Sequence, residues 1–174
     1  EYEGGEHLRA FGPVDSVEQV RRHQEALRRA MEEQGFMKVM KLGIVGFGFM
    51  GHCDAEMMNT FEEIELVAVA DTNPDQLKDA PSGVKTYGSI DEMLADKDLE
   101  MDVVMVSTPN PSHPEMVKKA AAAGKHVICE KPAAMSVAEF DEMVEACKKA
   151  GALFTAHQQR RWDKEYRIMK EVSD

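Results

Sequence analysis

Three groups of residues have the types and spacing that chemistry requires. Gly46-Phe47-Gly48-Phe49-Met50-Gly51 places glycines at the first, third and sixth positions of a short run. Between a strand and a helix, such a turn suits a dinucleotide. Gly46 permits the sharp bend, Gly48 lets the backbone approach a pyrophosphate, and Gly51 lets the helix pack close to the strand. Asp71 stands 20 residues beyond Gly51, after the apolar run ELVAVA, where a carboxylate can accept hydrogen bonds from both ribose hydroxyls. The third group is polar and stiffened by proline: Ser107-Thr108-Pro109-Asn110-Pro111-Ser112-His113 and Glu130-Lys131-Pro132. A lysine in such a turn can bond a substrate hydroxyl and take up a proton. An exposed loop lysine and a helix-cap histidine are the plain alternatives for Lys131 and His113.

Glycines at this spacing also occur by chance, so the surrounding elements must decide. Val39 to Val45 reads as a buried strand and Met50 to Phe61 as a helix, so the glycine turn joins the two. Strands follow at Glu65 to Ala70, Val84 to Tyr87, Asp102 to Ser107, His126 to Cys129 and Ala152 to Ala156. The connecting segments open on helix caps: Asn73-Pro74, Ser89 with Glu92, Ser112 with Glu115, and Ser136 with Glu139. Gly124 and Gly151 are placed to end two of the helices. In the last of these helices Val137, Phe140, Val144 and Cys147 are expected to face the sheet. Strand and helix alternate about six times, the sequence form of an α/β, Rossmann-like, doubly wound parallel sheet. Ligands of such sheets bind beyond the carboxyl ends of the strands, where all three groups fall.

Residues 1–36 read as separate material. Ser16 to Gln19, a capping-box pattern, opens a helix carrying Val17, Val20, Leu27 and Met31, with Arg21, Arg22, Arg28 and Arg29 interleaved with acids. No role is assigned to that extension. Residues 37–157 form the nucleotide-binding domain on this reading, and 158–174 begin a further domain.

Composition excludes several classes of function. The net charge of −11 argues against a nucleic-acid binder, since phosphate contacts need clustered Lys and Arg. Backbone amides can still hold an anion on an acidic protein. No apolar run approaches the ~20 residues of a membrane span, and the start, EYEGGEHLRAFG, lacks the form of a signal peptide. Cys53, Cys129 and Cys147 are odd in number and have no C-x-x-C spacing. Neither a disulfide framework nor a metal site is expected, and a reducing cytoplasm is the simplest setting.

Asp71 also selects among nucleotides. Thr72-Asn73-Pro74-Asp75 offers no cation for a 2′-phosphate, and a carboxylate repels one, so NAD is favoured over NADP. A methyltransferase is the nearest rival, but such enzymes usually place an acid just before the glycines. Leu42, Gly43, Ile44 and Val45 stand there instead.

GFGFMG, VAVAD, STPNPSH and the EKP of Glu130 to Pro132 come in the order and spacing of the Gfo/Idh/MocA oxidoreductases. HQQRRWDKEY, residues 157–166, resembles the segment by which those proteins leave the nucleotide domain. The resemblance covers Lys38 onward and implies an NAD(P)-dependent dehydrogenase acting on a secondary alcohol of a sugar, inositol or related polyol, homo-oligomeric at full length. Gly46, Phe47, Gly48, Phe49, Met50 and Gly51 would hold the pyrophosphate, and Asp71 and Thr72 the adenosine ribose. Ser107, Thr108, Pro109, Asn110 and His113 would line the nicotinamide side. Glu130 would orient the nicotinamide ribose, and Lys131 would serve both cofactor and catalysis. Arg161 and Trp162 would lie near the start of the substrate site, while Lys164 departs from a proline common in the family. Family members continue into an α/β substrate domain that this chain does not contain, which implies weak or no turnover by these residues alone. A non-catalytic nucleotide sensor or scaffold is the alternative, but it has no need of Lys131.

Overall fold

The computed structural model describes residues 39–173. The chain divides into two units, Glu1–Lys38 and Val39–Asp174, and the expected helix within residues 1–36 lies outside the described residues. The elements are β1 (Met40–Val45), α1 (Phe49–Met58), β2 (Ile64–Ala70), β3 (Lys85–Tyr87), α2 (Ile90–Ala95), β4 (Val103–Val106), α3 (His113–Ala122), β5 (His126–Cys129), α4 (Val137–Ala150), β6 (Phe154–Ala156) and α5 (Lys164–Ser173). Short 3-10 turns occupy Gln76–Asp79, Asn110–Ser112 and Gln159–Trp162. The sheet has the order β3-β2-β1-β4-β5-β6 and every pairing is parallel. This is the doubly wound order, with its switch between β1 and β4. No helix among the described residues is long and apolar enough to cross a membrane.

The strands read as continuous apolar runs because both faces are covered. Side chains alternate across the sheet. Ile44, Val69, Val103 and Met105 pack with Phe47, Ala55 and Met58 on the α1 face. Val45, Val104, Val106 and Val127 pack with Met93, Val117, Met143 and Cys147 on the other. Ser89 and Ser136 cap α2 and α4 as expected, accepting from the N–H of Glu92 and Glu139 at 3.2 Å each. Gly151 ends α4 in the left-handed region, φ 68°.

Some local expectations change. Val137 is 77% exposed and Phe140 38%, so the buried stripe of α4 is instead centred on Met143 and Cys147. The segment after Asn73-Pro74 is only a 3-10 turn, with Asn73 Oδ1 accepting from Asp75 N–H at 3.1 Å. Ser112 does not cap α3, because its hydroxyl lies 2.7 Å from the Pro109 carbonyl and 2.9 Å from Thr108 Oγ1. α1 ends at Met58 rather than Phe61.

Among the described residues three polar side chains are buried: Asp54, His113 and Glu130. Burial holds the Asp54 carboxyl above its ordinary 3.8, with the Ser107 hydroxyl opposing and the charge of Glu130 reinforcing the rise. The folded state therefore binds this proton more tightly than the unfolded chain does. Stability is lost as pH rises from the ordinary carboxylate range through the folded value. Asp54→Asn keeps an acceptor for Ser107 and escapes that loss. Its melting temperature is expected to exceed the parent's near neutrality, with the gap closing towards pH 3.8; a constant gap in thermal melts across pH would contradict this. Met143→Ala removes a fully buried side chain and is expected to cost about 2–5 kcal/mol in urea unfolding. The exposed Val137→Ala should stay within about 0.5 kcal/mol.

Candidate functional site

The residues that could do chemistry stand one position beyond a strand, each held by one further rung of the ladder. Gly46 N–H donates to the Ala70 carbonyl at 2.8 Å, Asp71 to Tyr87 at 3.1 Å and Ser107 to Val45 at 2.8 Å. Glu130 donates to Val106 at 2.9 Å and His157 to Cys129 at 2.8 Å. All five strand ends therefore open at one edge; those of β1, β2 and β4 line a cleft of about 740 Å³, with Gly46, Gly48, Asp71, Thr72, Ser107 and Thr108 in its wall, while Glu130 and His157 lie outside that lining.

The three glycines differ in what surrounds them. Gly46 has φ +87°, and a Cβ there would stand 2.6 Å from the Ser107 carbonyl carbon and the Thr108 nitrogen. A Cβ on Gly51 would fall on the Gly46 carbonyl oxygen. Both glycines are demanded by the fold itself. A Cβ on Gly48 would meet nothing within 4 Å, so the chain's own packing does not require glycine there. Gly48 is the N-cap of α1, makes no side-chain capping bond and precedes a first turn free of acids. The N–H groups and positive dipole end of the helix thus face the cleft edge with no acid in the helix's own first turn to neutralise them, which suits an anion.

Asp71 is oriented by two backbone donors. Oδ2 accepts from Phe47 N–H and Oδ1 from Asn73 N–H, both at 2.8 Å, so one side chain ties the glycine turn to the end of β2. Each oxygen retains a lone pair for a hydroxyl. The Phe47 side chain is 1% exposed and packs in the α1-face core. Phe49 is 81% exposed at the cleft, with Met50 beside it.

On the other side of the switch point, Ser107, Thr108 and Pro109 line the cleft. Asn110 begins the 3-10 turn that follows. His113 does not line it. The ring is fully buried, with Nε2 2.7 Å from the Thr108 carbonyl and Nδ1 3.1 Å from the Pro132 carbonyl. It thereby braces the Ser107–His113 turn against the Glu130–Pro132 turn. Glu130 is 4% exposed, whereas Lys131 is exposed with its Nζ 3.8 Å from Glu130 Oε2. Arg161 is exposed on the last 3-10 turn, whose final residue is Trp162. Arg161 does not belong to the cleft lining.

Sequence reasoning missed two participants. Asp54, a carboxylate three residues past Gly51, is buried and accepts the Ser107 hydroxyl at 2.6 Å. His157, the first residue past β6, lies 2.5 Å from Glu130 Oε1. An acid inside the packed first helix was the available signal for Asp54; pattern alone could not pair β5 with β6 side chains for His157. Asn73, Asp91 and Lys119 also reach the cleft, although Lys119 is ion-paired to Asp91 and Glu115 at 2.8 Å each.

Comparison with known proteins agrees with this architecture. Residues 40–158 match the model of the Gfo/Idh/MocA oxidoreductase family, NAD-binding Rossmann fold. The chain is 33% identical over 136 residues to myo-inositol 2-dehydrogenase of Thermotoga maritima, covering 76% of this chain and 40% of that protein. The crystal structure of an NAD-binding protein from Listeria innocua superposes with a TM-score of 0.72 at 36% identity, over 78% of this chain and 40% of that one. The WlbA dehydrogenase of Bordetella pertussis, solved with NADH and UDP-GlcNAcA, gives a TM-score of 0.72 at 30% identity, over 78% and 42%. The chain thus spans about two fifths of the length of these relatives. Its matched sequence, its strand order and the turns at its strand ends agree: the chain belongs to the Gfo/Idh/MocA oxidoreductase family and carries that family's NAD-binding Rossmann fold.

Proposed function

We propose that the chain is the cofactor-binding part of an NAD-dependent dehydrogenase that oxidises a secondary alcohol of a sugar, inositol or related polyol. The observation that carries this reading is Gly48, a glycine that the fold does not need at an uncapped helix N-terminus facing the cleft. The cradle suits a pyrophosphate, with α1 amides as donors. Asp71, already oriented by the glycine turn, would take the adenosine ribose, with Thr72 beside it. Its charge disfavours a 2′-phosphate, and Lys119 in the same cleft is already paired with two acids.

Bound there, NAD would supply the hydride acceptor. Ser107, Thr108, Pro109 and Asn110 would flank its nicotinamide half, and Glu130 its second ribose. Lys131, exposed at the end of β5, would accept the proton of the substrate hydroxyl as the hydride departs. Arg161 and Trp162 would begin the substrate side. The polyol substrate class follows the myo-inositol 2-dehydrogenase relative. In this reading the complete enzyme is a cytoplasmic homo-oligomer. The exposed Ile168, Met169 and Val172 of α5 offer an apolar face for association.

Calorimetric titration with NADH, NADPH and S-adenosylmethionine tests the reading. NADH is expected to bind in preference to both. Gly48→Ala should leave the melting temperature unchanged and weaken NADH by at least about tenfold, since the methyl occupies the pyrophosphate's approach. Equal NADH affinity in the parent and Gly48→Ala would reduce the motif to a turn. Positioning of the substrate carbon against the nicotinamide ring supplies several kcal/mol of barrier reduction. The 174-residue chain alone is therefore expected to show little or no NAD⁺ reduction with a panel of polyols, and robust turnover would contradict this division of labour.

A further inference from the structure

Asp54, Glu130 and His157 bring their polar atoms within 4.8 Å of one another. They come from three separate elements: α1, the end of β5 and the end of β6. Glu130 is 4% exposed and Asp54 2%, and two buried carboxylates this close are costly unless partners hold them.

The partners are divided in an ordered way. Glu130 Oε1 lies 2.5 Å from His157 Nδ1, while Oε2 accepts from Lys131 N–H at 3.3 Å and stands 3.8 Å from Lys131 Nζ. One carboxylate therefore joins an imidazole on one side to the exposed lysine on the other. Asp54 Oδ1 faces the same Nδ1 at the longer distance of 3.8 Å, and its Oδ2 takes the Ser107 hydroxyl. A continuous line of polar groups runs from Ser107 at the cleft through Asp54, His157 and Glu130 to Lys131. It crosses the ends of β4, β5 and β6, which no other side-chain contact joins in this way among the described residues.

We propose that His157 is a positioning residue for the nicotinamide half of the bound cofactor, holding Glu130, and through it Lys131, in fixed relation to Ser107. The inference rests on the dinucleotide reading above and adds to it a residue outside the cleft lining. His157 itself has a half-hidden ring, 15% exposed, and acts only through Glu130. Without the imidazole, Oε1 loses its only close side-chain partner among the described residues, and the carboxylate is free to turn. Asp54 completes the arrangement, at the stability cost its buried charge carries.

The test separates the two halves of the cofactor. The 174-residue chain and its variants are titrated with NADH and with ADP, which keeps the adenosine and pyrophosphate and lacks both the second ribose and the nicotinamide. His157→Leu is expected to weaken NADH by about tenfold, the loss of one hydrogen bond to a charged group, with ADP within about twofold of the parent. His157→Asn, whose amide can donate to Glu130 Oε1, should recover most of the NADH affinity. Should His157→Leu not fold, Glu130→Gln must show the same NADH-selective loss. Equal weakening of both ligands, no change in either, or failure of the asparagine rescue overturns the positioning role. A melting-temperature rise with millimolar Zn²⁺ that His157→Asn abolishes would assign the trio to a cation and also overturn it. A parent that binds neither ligand fails the dinucleotide reading itself, and this inference with it. A parent that binds both while His157→Leu matches it fails only the inference.

Discussion

The strand-end site depends on a single repeated device, one backbone hydrogen bond beyond the end of five of the six strands. Parallel pairing gives evenly spaced rungs, and the first residue after β1, β2, β4, β5 and β6 still donates its N–H to the neighbouring strand. Its backbone is thus as rigid as the sheet. Gly46, Asp71, Ser107, Glu130 and His157 all occupy such positions. A site built this way needs no loop to order itself, and functional precision comes from rigid elements.

Within that frame, the contact of α1 with β1 sets the geometry of the glycine turn. The Gly46 carbonyl occupies the place that a side chain on residue 51 would need, so the helix starts close against the strand and its N-terminus reaches the cleft. Asp71 then locks the turn by accepting from Phe47 N–H. The same carboxylate shapes the turn and is held at the cleft edge by it, so a change in one is felt by the other.

Much of this was readable from the chain. Six apolar runs and the helix caps between them specify the doubly wound order, because local caps and buried parallel strands depend on short-range pattern. The places of the glycines and Asp71 were readable for the same reason: each is fixed by position relative to a strand end. Long-range contacts were not. His113 looks like a cap residue in sequence, yet its ring sits between the Thr108 and Pro132 carbonyls. His157 meets Glu130 only because β5 and β6 are adjacent and in register. Asp54 hides among apolar residues, and Val137 lost its place in the core because α4 turns its Met143 and Cys147 stripe to the sheet instead. The buried Asp54–Glu130–His157 group violates the local rule that charges stay outside, and such violations gather where function offsets their cost.

The central claim is that the glycine turn, α1 and Asp71 form one dinucleotide site. Amide-resolved NMR of the isotopically labelled chain during addition of NADH tests it most directly. The account predicts the largest shifts at Gly48, Phe49, Met50, Thr72 and Asn73, around the cleft at the strand ends. Shifts confined to Asn59, Glu62 and Val84, which line a separate hollow of about 500 Å³, or no shifts at saturating NADH, would contradict it.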